Sequence, residues 1–185
     1  MNPFSRFPEI RAQDILLRKI TEHDLDALCS IYQNPNLYRY IPGEAKKSRK
    51  TVNHLIDHFE RDFQKGKELF LGICLPEAPE KLLGVVEMFH YDPKVEMVTI
   101  GYRLDEQHWG KGYAARATRA LCLYLFDEMG IRRIQASVMP ENPASMRVLE
   151  KCGFVREGYI RQGSYCRGKG IVDLVSFSLL PGELT

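Results

Sequence analysis

Short apolar runs alternate along this chain with stretches whose apolar residues follow helical spacing. Seven apolar runs end at turn-forming residues and predict β-strands, at 14–20, 68–75, 81–91, 97–104, 131–139, 155–162 and 171–179. Four stretches with apolar residues three or four positions apart predict helices that begin near residues 21, 50, 113 and 142. The pattern predicts an α/β (α+β) fold, in which about four helices flank a mixed, mostly antiparallel central sheet of about seven strands.

The order and boundaries of these elements add detail to the fold. Consecutive runs between residues 68 and 104 are joined by short turns, which predicts antiparallel neighbours. The strand–helix–strand unit at 97–139 favours one parallel pair. Thr21 and Asp24 resemble a capping box at a helix start. Asn142 suits the position before the last helix.

The composition is that of an ordinary globular protein. Over 185 residues, 26 Lys and Arg oppose 24 Asp and Glu, which gives a net charge of +2, and 44% of residues are hydrophobic. This length suits one domain, which we expect to span residues 1–185. The near balance of charge argues against a polybasic nucleic-acid binder, and the 10% aromatic content argues against disorder.

Cysteine, histidine and hydropathy patterns argue against disulfides, metal sites and membranes. The five cysteines are scattered and form no Cys-x-x-Cys pair. His54 and His58 have the spacing of a zinc pair, but Leu55 stands where a metalloprotease motif has Glu. No apolar stretch approaches the ~20 residues of a membrane span, and residues 1–6 lack the apolar core of a secretory signal. We expect a cytoplasmic protein, monomeric or homodimeric, without metal, nucleic acid or membrane partners.

A glycine-containing turn between a predicted strand and a predicted helix carries the strongest chemical signal. It reads Gln107-His108-Trp109-Gly110-Lys111-Gly112-Tyr113-Ala114. A helix start offers about four backbone N–H groups without partners and roughly half a positive charge, and glycines let these groups approach an anion. The turn therefore predicts a pyrophosphate site.

Three phosphate-binding motifs compete for this turn. A P-loop needs Ser or Thr after Gly-Lys, but Gly112 follows Lys111. Gly110-x-Gly112-x-x-Ala115 matches a loose Rossmann fingerprint. A Rossmann strand runs almost directly into the first Gly, whereas residues 105–109 intervene here and the upstream strands read as antiparallel, which disfavours this motif. Gln107-x-x-Gly110-x-Gly112 resembles the Gln/Arg-x-x-Gly-x-Gly/Ala signature of the GNAT superfamily of N-acetyltransferases, which use acetyl-coenzyme A (acetyl-CoA).

The resemblance to the GNAT superfamily extends over residues 14–180. Asn142-x-x-Ser145 followed by Gly153-Phe154 resembles the downstream block of that superfamily. Gly153-Phe154-x-x-Glu157-Gly158 and Gly170-x-x-Asp173 resemble its ribosomal-protein-alanine (RimJ/RimL-like) branch. The resemblance implies a GNAT-like acyl-CoA acyltransferase fold.

The resemblance also implies a set of residues that bind acetyl-CoA. Backbone N–H groups from His108 to Tyr113 should hold the pyrophosphate. The strand end at 102–104 should bind the pantetheine arm through its main chain and polarise the thioester carbonyl. Asn142 should contact the arm, and Ser145 should lie near the sulfur. The full set is Tyr102, Arg103, Leu104, Gln107, His108, Trp109, Gly110, Lys111, Gly112, Tyr113, Ala114, Asn142 and Ser145.

Acetyl transfer needs a base for the amine and a proton for the departing thiolate. Glu87 is our candidate base, because strand alternation puts it as a lone carboxylate on an otherwise apolar face, where burial would raise its pKa. A salt-bridged Glu at a sheet margin is the alternative. Ser145 is the candidate acid, although its hydroxyl could instead cap the helix. Tyr159 and Tyr165 are alternative acids, and a water relay is a further alternative to a direct base.

The acceptor amine is predicted less sharply than the donor. An α-amine of pKa ~7.8 is roughly a tenth neutral at pH 7, whereas Lys, at ~10.4, is neutral in fewer than one molecule in a thousand. This favours a protein N-terminus, as does the branch resemblance. The alternatives are a small amine, such as a polyamine, amino acid or antibiotic, and a CoA-binding module with little catalysis.

Overall fold

The computed structural model describes residues 4–185 and is built around one eight-stranded sheet. The strands are β1 Ile10–Arg11, β2 Leu16–Arg18, β3 Leu69–Cys74, β4 Gly84–Asp92, β5 Met97–Leu104, β6 Arg133–Val138, β7 Val155–Cys166 and β8 Gly170–Leu179. The α-helices are α1 Leu25–Tyr32, α2 Arg49–Gln64, α3 Tyr113–Asp127 and α4 Pro143–Lys151. Short 3₁₀ helices cover Glu22–Asp24, Pro35–Arg39 and Glu106–His108. Residues 1–3 of the predicted domain lie outside the described residues.

The strand order is β1-β2-β3-β4-β5-β6-β8-β7. Each neighbouring pair is antiparallel except β5 and β6, which are parallel. The predicted mixed, mostly antiparallel sheet with four flanking α-helices is therefore confirmed. The predicted count of about seven strands is one too low, because the two-residue strand β1 is too short to leave a pattern in the sequence.

Local hydrogen bonds fix the helix starts. The Thr21 backbone N–H donates to the Asp24 carboxylate at 2.8 Å, as one half of a capping box does. The Asn142 side-chain oxygen accepts from the Ser145 backbone N–H at 3.1 Å and caps α4.

Two hydrophobic clusters cover the two faces of the sheet. The larger includes Met88 of β4, Ile100 of β5 and Leu121 of α3. The smaller includes Val85 of β4, together with Leu28 of α1 and Phe59 of α2. Because side chains alternate along a strand, even-numbered positions of β4 and β5 face α3 and odd-numbered positions face α1 and α2. We refer to these as the α3 face and the α1 face.

The sheet opens between β5 and β6. Their parallel pairing covers only residues 97–99 of β5 against 133–135 of β6. On its other edge, β5 stays paired with β4 as far as Leu104. The main chain of residues 100–104 therefore has no strand partner on the β6 side, and the two strand ends leave a gap in the sheet.

No helix within residues 4–185 combines the length and hydropathy that crossing a lipid bilayer would require.

Candidate active site

A cleft of about 400 Å³ lies where the sheet opens. Its walls come from the end of β5, the turn before α3, the first turn of α4 and the segment that joins α1 to α2. The lining residues are Asn36, Leu37, Arg39, Tyr40, Ile41, Tyr102, Arg103, Leu104, Glu106, Trp109, Gly110, Ala114, Asn142, Ala144, Ser145 and Val148. Main-chain and side-chain groups from both faces of the sheet therefore meet in one space.

The glycine turn presents free backbone N–H groups beside this cleft. Gly110 and Gly112 adopt φ values of 75° and 79°, in the left-handed region that glycine occupies without strain. The first backbone hydrogen bond of α3 runs from the Arg116 N–H to the Gly112 carbonyl. Within residues 4–185, the N–H groups of 110–115 have no hydrogen-bond acceptor, so they are free to bind an anion.

The expectation for His108 and Trp109 needs one correction. Their backbone N–H groups donate within the turn, to the carbonyls of Asp105 at 2.9 Å and Glu106 at 3.1 Å. The Trp109 indole N–H also donates to the Leu104 carbonyl at 3.0 Å and ties the turn to the strand end. These two residues therefore shape the turn, and the free N–H groups begin at Gly110. Burial lowers the pKa of His108.

Tyr102 and Ser145 form a hydroxyl pair on the α3 face of the cleft. The Tyr102 hydroxyl oxygen lies 2.6 Å from Ser145 Oγ and 3.4 Å from the Ser145 carbonyl oxygen. Burial raises the pKa of Tyr102 to about 12, against the opposing effect of the hydrogen bond with Ser145. Asn142 caps the same helix turn, so the strand end and the start of α4 are joined at this point.

Glu87 and Arg103 form an ion pair on the α1 face. Arg103 Nη2 donates to Glu87 Oε1 at 2.8 Å, and Arg103 Nη1 donates to the Tyr32 hydroxyl at 2.9 Å. Burial alone would lower the pKa of Arg103, but Tyr32 and Glu87 raise it overall. Glu87 is 9% exposed. The prediction of a lone carboxylate is wrong, because sheet register puts Arg103 beside it.

Comparison with known proteins agrees with this geometry. The sequence model described as the acetyltransferase (GNAT) domain matches residues 14–155. The N-acetyltransferase YoaA of Bacillus subtilis is 31% identical over 162 residues, which cover 88% of this chain and 91% of that protein. The chain belongs to the GNAT acetyltransferase family. This GNAT enzyme is an acyltransferase that uses acetyl-CoA.

Solved structures share its fold. A GNAT-family acetyltransferase from Bacillus anthracis superposes with a TM-score of 0.81, at 27% identity, over 95% of this chain and 98% of that one. Mycobacterium smegmatis RimJ, solved with CoA-disulfide, gives a TM-score of 0.80 at 20% identity, over 95% of this chain and 87% of that one. The predicted resemblance to the GNAT superfamily is confirmed, and RimJ shares the fold.

Two further relatives carry acceptor names. The ribosomal-protein-serine acetyltransferase of Escherichia coli is 27% identical over 73% of this chain and 71% of that protein. The spermidine N(1)-acetyltransferase of Vibrio cholerae is 24% identical over 84% of this chain and 87% of that protein. The GNAT relatives thus differ in acceptor, so their names do not identify the acceptor of this enzyme.

Eight of the thirteen predicted cofactor-binding residues line the cleft. The other five are not among its lining residues: Gln107, His108, Lys111, Gly112 and Tyr113, all in the turn before α3 or at the first position of α3. Three catalytic candidates also do not line it. Glu87 does not line the cleft, because Arg103 occupies that wall. Tyr165 is 72% exposed, and Tyr159 donates its hydroxyl hydrogen to Asp173 at 2.7 Å. Neither tyrosine lines the cleft, so neither is placed to protonate a thiolate there.

Sequence reasoning missed the wall between α1 and α2. Asn34 and Asn36 donate their side-chain amides to the Glu106 carboxylate, at 2.6 Å and 3.0 Å, and so hold this wall against the glycine turn. The Asn-Pro-Asn sequence at 34–36 is typical of a turn, but nothing in it indicates a partner 70 or 72 residues away.

Proposed function

We propose that this enzyme acetylates the α-amine at the N-terminus of a polypeptide. The observation that supports this most directly is the charge of the cleft. Two guanidinium groups, Arg39 and Arg103, line it together with one carboxylate, Glu106. Hydrogen bonds from Asn36 and Asn34 lower the pKa of Glu106 and occupy its oxygens. Because Arg103 is paired with Glu87, the charges around the cleft are balanced, and a polyamine with several positive charges gains no net attraction from it.

The chemistry of the nucleophile supports the same acceptor. An α-amine, at pKa ~7.8, is neutral about 400 times more often at pH 7 than a lysine side chain at ~10.4. The difference is worth about 3.5 kcal/mol of deprotonation. An α-amine therefore needs only modest help from a base, which suits a site whose candidate base is set back from the cleft wall.

A second cavity gives a polypeptide room to extend. It has a volume of about 540 Å³ and shares Arg39 and Tyr40 with the cleft. Lys169, Glu141 and Asp173 also line it, so both signs of charge are present. A peptide chain offers both hydrogen-bond donors and acceptors to such walls, whereas a short amine would leave this cavity unfilled.

We assign Glu87 as the base and Ser145 as the acid of this reaction. Glu87 lies on the α1 face, with the segment that walls the acceptor side, and receives the amine proton through a water molecule. Ser145 lies on the α3 face, beside the glycine turn that would hold CoA, and donates a proton to the sulfur. The C–N bond forms as the C–S bond breaks, and the two protons move on opposite faces of the sheet. The free main chain of 100–104 would polarise the thioester carbonyl.

A thiol-release assay tests the acceptor. Purified enzyme and acetyl-CoA are combined with peptides of one to five residues, the same peptides with blocked N-termini, and spermidine. We expect only free N-termini to react well, with kcat/KM increasing up to three or four residues as the second cavity fills. The Arg39→Glu variant should improve kcat/KM for spermidine relative to peptide, whereas Arg132→Glu, which is exposed and lies outside both cavities, should not. If spermidine reacts faster than every peptide with the unmodified enzyme, the proposed acceptor is wrong.

A further inference from the structure

The Tyr102 side chain has a partner that a main-chain role in CoA binding does not explain. Its ring packs against the hydrophobic cluster of the α3 face. Its hydroxyl reaches Ser145 across 43 residues of sequence, with an oxygen–oxygen distance of 2.6 Å. Both residues line the cleft at the open end of the sheet. The contact therefore lies in the cleft where we propose that acetyl-CoA reacts.

The distances favour one direction for the hydrogen of this contact. Both oxygens near the Tyr102 hydroxyl belong to Ser145, Oγ at 2.6 Å and the carbonyl at 3.4 Å. Either hydroxyl can donate in the 2.6 Å contact, but 3.4 Å is longer than a normal O–H···O hydrogen bond, so Ser145 Oγ is the better acceptor for the tyrosine hydrogen. Burial raises the pKa of Tyr102 to about 12, so the phenol keeps its hydrogen at neutral pH.

We propose that Tyr102 is a positioning residue that aims the Ser145 hydroxyl at the departing sulfur. Tyr102 donates its hydrogen to Ser145 Oγ, and this leaves the serine hydrogen free to point into the cleft. This inference rests on the acid role proposed for Ser145. When the C–S bond breaks, the serine proton passes to sulfur and the tyrosine proton passes to Ser145 Oγ. Tyr102 then regains a proton from solvent, and Glu87 releases to solvent the proton that it received from the amine.

A double-mutant cycle tests this coupling. We expect Tyr102→Phe to lower kcat about tenfold, the size of effect that one hydrogen bond gives, with the KM for acetyl-CoA unchanged. In the S145A background the same substitution should change kcat by less than about twofold, because the hydroxyl to be aimed is gone. Phe keeps the volume of the ring, and thermal unfolding together with calorimetric CoA binding confirms that each variant is folded.

Tyr124→Phe is the matched control. Tyr124 lies on α3, burial raises its pKa, and it lines neither cavity, so kcat should not change. Full activity in Y102F overturns the inference. An equal loss of kcat from Tyr102→Phe in the unmodified enzyme and in the S145A variant also overturns it, because a packing defect would lower kcat whether or not Ser145 is present. If Ser145→Ala itself keeps full kcat, the proposed acid is wrong and the inference fails with it. If only the Tyr102 effects are missing, the role of Ser145 stands.

Discussion

Replacement of Gly101 by Ala tests the contact between β4 and β5 on which the proposed base depends. Gly101 pairs with Glu87 across the two strands, and an added Cβ would lie 2.6 Å from Glu87 Oε1. The carboxylate must move away and lose its charge-assisted hydrogen bond from Arg103, at a cost of about 1.5–3 kcal/mol. The change from Gly to Ala within a strand by itself stabilises the folded state by about 0.5–1 kcal/mol. The expected net loss of stability is about 1–2 kcal/mol.

Urea unfolding followed by far-UV circular dichroism measures this loss, and steady-state kinetics measure its consequence. We expect kcat to fall about tenfold with the KM for acetyl-CoA unchanged, since the added methyl group lies on the α1 face, against Glu87, and leaves the main chain of β5 in place. Gly158→Ala is the control, because Gly158 is also a strand glycine and a Cβ there meets nothing within 4 Å. A Gly101→Ala enzyme as stable as the unmodified one would refute the close approach. A stability loss with normal kcat would refute Glu87 as the base.

Three further predictions concern the base, the turn and the buried phenol. Glu87→Gln should lower kcat at least tenfold and remove the acid limb from the pH profile of kcat/KM; a limb that persists would assign the base elsewhere. Gly112→Ala should cost about 1–2 kcal/mol in urea unfolding, because its φ is 79°, and should raise the KM for acetyl-CoA about tenfold; an unchanged KM would contradict the anion site. The pKa of Tyr102 is about 12 in the folded protein and ~10 in the unfolded chain. Below pH 10 the phenol is neutral in both states, and its contribution to stability is complete. Between pH 10 and pH 12 only the unfolded chain ionises, so stability falls by about 1.4 kcal/mol per pH unit. Urea unfolding across this range should therefore show a shallower decline for Tyr102→Phe, and equal slopes would refute the burial effect.

The sequence predicted the sheet well where apolar runs were long and bounded by turns. β3 and β5 fall inside their predicted ranges, β4 extends one residue beyond its range to Asp92, and the parallel β5–β6 pair follows from the helix between them. The end of β7 was missed, because Gln162 and Gly163 read as a turn. In the structure, Gln162 has a φ of 53°, and the strand register shifts between Ile160 and Ser164 before pairing resumes. A bulge of this kind interrupts the pattern but not the strand.

The site was predictable in its backbone and not in its side-chain partners. The glycines of the turn follow from local geometry, so Gly110 and Gly112 could be read from their spacing. The partners of Glu87 and Ser145 are set by strand register and by packing of α4 against β5. Neither the strand register nor the helix packing is local in sequence. The residues around Glu87 therefore do not indicate Arg103, and those around Ser145 do not indicate Tyr102.

The gap between β5 and β6 is a property of strand direction and not of particular side chains. Substitutions that leave both strands extended should preserve the donor half of the site. The proposed acceptor wall is a separate stretch of chain, at 34–41, fixed to the turn by hydrogen bonds from Asn34 and Asn36 to Glu106. An engineer could therefore exchange that stretch to direct the enzyme towards new amines, and we expect the engineered enzyme still to bind acetyl-CoA.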